Sequence, residues 1–255
     1  VESGPATSIV GSNPATLDAV SAINNAGEVA FSGILAGQPI TSDKFVAKKG
    51  TGAAVMIAQE GSAAPGLGSV TIGNTLLAQS IDNAGNVLFG SAALGGTVTA
   101  NNAYLGLNDG SGGSSFALKG ADAPTATPPL LANTYLAFDL SSFDKVNGRS
   151  GDGAQSLITG TLNNATANDV SITVNGDVKI QEGAVIPGSS FAANVTSTAA
   201  AHMGGDGNWY AYGSNVGTNT NDWAVRNGVV VGAAGTPAYT GATENWSDTA
   251  PLTPG

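Results

Sequence analysis

The chain contains no cysteine, which excludes disulfides, thiolate nucleophiles and zinc sites built on sulfur. It holds one histidine, His202. A metal site of three histidines is therefore impossible within one chain, and a Ser-His-Asp triad would rest wholly on that residue; no nucleophile motif stands beside it in AAAHMGG. Charge is scarce, with 8 Lys plus Arg against 18 Asp plus Glu among 255 residues and a formal net charge of −10. So few cations give no basic patch to neutralise phosphates, which excludes counterion-driven nucleic-acid binding. No apolar run approaches the roughly 20 residues of a membrane-spanning helix. G-x-S-x-G, phosphate-loop and paired-histidine motifs are absent as well, and the chain is read as a non-enzyme.

What is present is small and neutral. Ala, Gly, Ser, Thr and Asn dominate, with 37 glycines, far from the Lys/Glu-rich surface of a typical cytosolic enzyme. The acidic residues are spread thinly and act as a solubility term rather than as an interaction tail. The first residue, Val1, fits a processed mature product or a piece of a longer chain. The expected setting is extracellular or at the cell surface.

The informative feature is internal repetition. INNAGEVAFSG (23–33) has a near copy in IDNAGNVLFG (81–90). A second element, a glycine four residues before a proline, recurs as Gly61-Ser-Ala-Ala-Pro65, Gly120-Ala-Asp-Ala-Pro124 and Gly183-Ala-Val-Ile-Pro187, with looser forms ending at Pro5 and Pro237. These prolines recur at intervals of about 50 to 63 residues. In the same phase, Asn25-Ala-Gly and Asn83-Ala-Gly are matched by Asp152-Gly153-Ala154 before SLITGTL (156–162) and by Asp206-Gly207-Asn208 before WYAYGS (209–214). Asn, Asp and Gly tolerate positive φ, so each triplet can reverse the chain between two strands.

Each unit also holds a hairpin. VSITV (170–174) and DVKIQ (177–181) flank Asn175-Gly176, and 223–226 and 229–231 flank Asn227-Gly228, the strongest short hairpin signal. In the first two units, 44–48 and 54–58 surround Gly50-Thr-Gly52, and 104–107 and 115–118 surround Asn108-Asp-Gly110. Four short strands in roughly 58 residues is the size of a propeller blade. Such a sheet must stack on its neighbours to bury both faces. The expected fold is all-β and propeller-like, one repeat domain over 1–255 with repeats 6–65, 66–124, 125–187 and 188–237 and an extra C-terminal strand in 238–255. A β-solenoid or a sandwich is the alternative.

The signature Asn24-x-x-Gly27-x-x-Ala30-Phe31, with Asp82-x-x-Gly85-x-x-Leu88-Phe89 one step away, resembles that of the bacterial tandem-repeat (choice-of-anchor) proteins named for their NxxGxxAF motif. EGSAAPG (60–66) and QEGAVIPGS (181–189) resemble the segment between such repeats. The resemblance implies an exported, surface-associated protein with a propeller-like β fold, and it supplies no catalytic residues.

Candidate sites are few. Calcium takes hard oxygen donors, and Asp109, Asp152 and Asp206, each in an Asp-Gly turn, are the residues that would offer them; no other cofactor is indicated. Asn164, Asn194 and Asn245 head glycosylation sequons. Asp139 and Asp144 are close in sequence, and Asp206 lies beside Trp209 and Tyr210, the kind of pairing glycosidases and sugar sites use. Tyr239 and Trp246 in the extra C-terminal segment are assembly candidates, since a leftover strand can add to an adjacent subunit. Two functions are carried forward. One is a self-associating structural subunit of a surface layer, sheath or filament. The other is a carbohydrate-binding module presenting Trp209, Tyr210, Trp223 and Trp246 to glycans.

Overall fold

The structure, a computed structural model, describes residues 14–96, 99–140, 146–187, 194–215 and 222–233. Among these it is all-β, with two single turns of 3-10 helix at Thr99–Asn101 and Thr166–Asn168. The strands make four antiparallel sheets in chain order. Sheet 1 is β1 (Pro14–Ile23), β2 (Val29–Leu35), β3 (Lys44–Lys49) and β4 (Val55–Gln59). Sheet 2 is β5 (Thr75–Ile81), β6 (Val87–Ala92), β7 (Ala103–Asn108) and β8 (Gly113–Leu118). Sheet 3 holds β9 (Tyr135–Phe138), β10 (Gly148–Arg149), β11 (Ser156–Leu162), β12 (Val170–Val174) and β13 (Asp177–Gln181). Sheet 4 is β14 (Val195–Met203), β15 (Trp209–Asn215), β16 (Asp222–Arg226) and β17 (Val229–Ala233). One sheet falls within each of the four sequence repeats; the segment 238–255, with Tyr239, Asn245 and Trp246, lies outside the described residues.

The turn chemistry read from the sequence is where it was expected. Asn175-Gly176 and Asn227-Gly228 have positive φ at both residues, 52° and 80° in the first and 52° and 79° in the second, the requirement of a type I′ hairpin. The recurring Gly-x-x-x-Pro element closes each sheet onto the next. Gly61, Gly120 and Gly183 follow the fourth strands, and their N–H groups donate to Ile72, Tyr135 and Val195 at the start of the next sheet, at 2.9, 2.8 and 2.8 Å.

Sheet 3 departs from the four-strand pattern because its first strand is split. β9 and β10 pair with different parts of the same side of β11, Phe138 opposite Gly160 and Gly148 opposite Leu157. Between them the missing rung is supplied by Asn147, whose side chain is fully buried. Its Oδ1 accepts from Thr159 N at 2.9 Å, and its Nδ2 donates to Asp139 O at 2.7 Å and to Gln79 Oε1 in sheet 2 at 3.0 Å.

The sheets stack in chain order. β5 lies against β1, β2 and β3, β10 against β5, and β14 against β10, β11 and β12. Ala30, Val46 and Ile57 pack with Leu76, Phe89 and Tyr104 between sheets 1 and 2. Leu88 and Leu105 pack with Phe138, Ile158 and Leu162 between sheets 2 and 3. Leu157, Ile172 and Ile180 pack with Trp209, Ala211 and Trp223 between sheets 3 and 4. Strands sandwiched on both sides read as continuous apolar runs rather than as alternation, which is the pattern of VLFG in β6 of sheet 2. The other face of sheet 1 carries Phe31 and Phe45, edge to face at 5.9 Å, with Leu35 and Ala47.

Candidate functional site

The motif that repeats in the sequence is a turn that repeats in space. In each sheet the first and second strands are joined by the same hydrogen bonds. The N–H of Asn24, Asp82, Ser150 and Gly204 donates to the carbonyl of Glu28, Asn86, Gln155 and Asn208, at 3.0, 3.0, 3.0 and 2.7 Å. The glycine within each turn, Gly27, Gly85, Gly153 or Gly207, has φ between 72° and 81°. The glycines therefore fix the alignment of the four turns. Asp152 and Asp206 stand at the place of Ala26 and Ala84, one position later than the Asn25 with which the sequence triplets align Asp152.

Asn24, not Asn25, organises the first turn. Its Oδ1 accepts from Ala26 N at 3.1 Å and Glu28 N at 2.9 Å, an Asx arrangement. Its Nδ2 donates to Glu28 Oε2 at 2.8 Å and across to Asp82 O of the next turn at 2.9 Å. Asp82 repeats the Asx bonds to Ala84 N and Asn86 N at 3.1 and 2.9 Å but has no amide to donate onward. Sheet 3 answers with Arg149, whose Nε lies 3.5 Å from Asp82 Oδ2. One letter of the motif, Asn or Asp, is thus read by the neighbouring sheet as amide to carbonyl or as carboxylate to guanidinium.

The second residues of the turns form a ladder from sheet to sheet. Asn25 N donates to Asn83 Oδ1 at 3.0 Å, Asn83 N to Gly151 O at 2.7 Å and Gly151 N to Gly205 O at 2.8 Å. Lys48 reinforces the first step, with its Nζ 2.8 Å from Gly85 O and 3.9 Å from Glu28 Oε1. Beside it opens a cleft of about 370 Å³ lined by Ala26, Glu28, Lys48, Gly50, Thr51, Gly52, Ala53 and Val55.

The three calcium candidates are braced by their own turns. Asp109 accepts from Ser111 N, Ser111 Oγ and Gly112 N. Asp152 accepts from Ser150 Oγ and Ala154 N, and Asp206 from Asn208 N and Nδ2. These donors hold each carboxyl below its ordinary range, Ser111 N–H foremost for Asp109, Ser150 hydroxyl for Asp152 and the Asn208 side chain for Asp206. Hydrogen bonding to the charged form is the cause. Among the described residues no three acidic or histidine side chains converge, and the three aspartates lie in separate turns.

The remaining candidates are dispersed. Asp139 directly follows β9, its N–H donating to Thr159 O at 3.0 Å; Asp144 lies outside the described residues. Asn164 is half-buried and held by Asn133 Nδ2 at 3.2 Å, whereas Asn194 is exposed at the start of sheet 4. His202 is exposed on β14, opposite Tyr210. Trp209 and Trp223, expected to be presented to glycans, are core residues instead, 5 % and 1 % exposed. The alternation of Trp209-Tyr210-Ala211-Tyr212 turns the tryptophan inward and leaves Tyr210 and Tyr212 on the outer face.

Sequence reasoning did not single out Glu60. It follows β4, is 8 % exposed, and its Oε2 has no hydrogen-bond partner. Burial, and then the neighbouring Asp43, push its carboxyl above the ordinary range, against the opposing pull of a Lys44 backbone hydrogen bond and the Lys44 charge. A raised pKa favours folding with the proton on, so the contribution is present at low pH and is lost as pH rises through the raised value. Glu60→Gln removes that titration. Chemical denaturation is expected to show the variant more stable than wild type at about pH 8 and equal to it at about pH 4; an equal difference at both pH values would contradict this reading.

Among the described residues no helix is long and apolar enough to cross a membrane. Neither the curated proteins nor the solved structures include a match to this chain. The family DUF7453, described as a family of unknown function, matches residues 23–236, which spans all four turns and all four sheets except the first nine residues of β1. The chain belongs to the DUF7453 family of unknown function.

Proposed function

We propose that the chain is a non-catalytic structural module of the cell exterior, a propeller-like stack of sheets that self-associates into a surface layer, sheath or filament. The observation that carries this reading is the contrast between its polar residues and its last sheet. The Asn and Asp side chains that the repeats present are spent on bracing turns and joining sheets, while the outward face of sheet 4 exposes Tyr210, Tyr212 and Val229 and has no neighbouring sheet among the described residues. A surface with few charges suits contact between copies, since charged residues are depleted at the cores of protein interfaces. Purified protein imaged by negative stain is expected to show regular assemblies, and a stable monomer at every concentration would remove the reading.

The second reading is glycan binding. It is favoured by Tyr210 and Tyr212, which are 43 % and 51 % exposed on the same face of β15, since sugars pack on aromatic rings. Trp209 and Trp223 contribute nothing to it. A glycan array separates the two, because selective binding by a monomer belongs to this reading alone.

A further inference from the structure

The second strands of sheets 1, 2 and 3 run almost wholly buried, whereas β15 alternates, with Trp209, Ala211 and Gly213 inward and Tyr210 and Tyr212 outward. The outward face of sheet 4 is ordered in rows by strand register. At one end His202, Tyr210, Arg226 and Val229 lie side by side; in the middle Tyr212 pairs with Ala224; at the other end Ser214 pairs with Asp222. Val229 is 64 % exposed, and the Arg226 guanidinium sits 5.9 Å over the Tyr210 ring.

We propose that this face docks against the same face of a second copy, about a two-fold axis lying in the interface and crossing the strands at the Tyr212 row. The inference rests on the self-association reading above and names the surface that performs it. Arg226 and Asp222 stand four residues apart on one side of β16, about 13 Å along the strand. The two-fold exchanges the two ends, so each Arg226 meets the partner's Asp222 while Tyr212 meets the partner's Tyr212. A patch that complements itself under a two-fold makes an isologous contact. It also answers the charge problem: a chain of net charge −10 repels its copies, but the strands of this face carry one cation, Arg226, and one anion, Asp222, with Asp206 of the adjoining turn beside Arg226. The joint closes on itself, so growth beyond the pair needs a second contact elsewhere on the chain.

The test is sedimentation velocity of the full chain across a concentration series, with Tyr212→Lys, Arg226→Asp, Asp222→Arg and the double exchange Arg226→Asp/Asp222→Arg. All three positions, Tyr212, Asp222 and Arg226, lie on the exposed face, and circular dichroism checks that each variant folds. Wild type is expected to dimerise, Tyr212→Lys to be monomeric, and each single charge variant to weaken the dimer by roughly tenfold. The double exchange restores the pair and returns affinity to within about threefold of wild type. If wild type assembles and these variants assemble equally well, the face is wrong while self-association stands. A wild-type monomer at every concentration overturns both. A monomer whose Tyr210 and Tyr212 are protected from chemical modification assigns the face to the chain's own residues 234–255, and a monomer that loses glycan binding in Tyr212→Lys assigns it to sugar; either result overturns the proposal.

Discussion

Gly160→Ala is expected to destabilise the chain by about 3 kcal/mol, the upper end of the usual cost of forcing an extra group into a packed core. For a domain of this size that is a fall in Tm of about 6 to 12 °C. The cause is steric and local. A Cβ at Gly160 would stand 2.2 Å from the carbonyl oxygen of Ala137, on the neighbouring strand β9. Backbone, unlike a flexible side-chain end, cannot move away. The position recurs: Gly33 would meet Thr16 O at 2.2 Å and Gly213 would meet Ser197 O at 2.0 Å. All three lie at the fifth residue of the second strand, where the first strand is irregular in register and its carbonyl leans over. Sheet 2 places Ser91 there and uses its Oγ to accept from Gly73 N at 3.1 Å. Gly52→Ala is the control, since a Cβ there meets nothing within 4 Å and stability is expected to stay within about 0.5 kcal/mol. Thermal and urea denaturation of both variants check this; a Gly160→Ala protein as stable as wild type would remove the close approach.

Asn147→Ala is expected to cost about 4 kcal/mol. The side chain serves three partners at full burial, and its removal strands the Thr159 N–H, the Asp139 carbonyl and the Gln79 Oε1, each orphan costing about 1 to 3 kcal/mol. Some of that is recovered if water enters the space left behind. Gln79 shares the consequence because its Nε2 also holds Leu140 O at 2.9 Å, so the cost falls on the junction of sheets 2 and 3. A urea midpoint that drops with unchanged slope is the expected signature. A loss below about 1 kcal/mol would mean that Asn147 does not act as the missing rung.

Neither of these residues was legible in the sequence, and the reason is the same for both. A hairpin dipeptide such as Asn175-Gly176 carries its own requirement, positive φ at two adjacent residues, so it can be read without knowing what surrounds it. The same holds for Gly27 and Gly85. Gly160 answers to a carbonyl more than twenty residues earlier, and Asn147 answers to a gap that exists only because the first strand of sheet 3 splits. Local chemistry was visible and long-range chemistry was not.

The site shows the same boundary. Counting turns anticipated four sheets and most of the strands within them, with 156–162, 170–174 and 177–181 matching β11, β12 and β13, but not the fifth strand of sheet 3. It did not say which of two adjacent asparagines caps the turn, because Asn24 and Asn25 differ only in where the backbone aims them. The number of aromatics does not say which of them face out; the period-two alternation along β15 is the signal that Trp209 and Tyr210 face opposite ways. Val29 and Phe31, two residues apart on β2, share a cluster on one face of sheet 1 as the same period requires.

The central claim is that the repeated turn is a joint between sheets rather than a ligand loop, and amide hydrogen exchange tests it most directly. Asn83 and Gly151 donate their N–H groups to the next turn, although Asn83 itself is exposed. Gly205, at the end of the row, has no following turn among the described residues. In dilute protein the Asn83 and Gly151 amides are expected to exchange slowly, with protection approaching that of the strands, while Gly205 exchanges at the rate of a free loop. Equal and rapid exchange at all three would contradict the ladder and return the motif to the status of four independent turns.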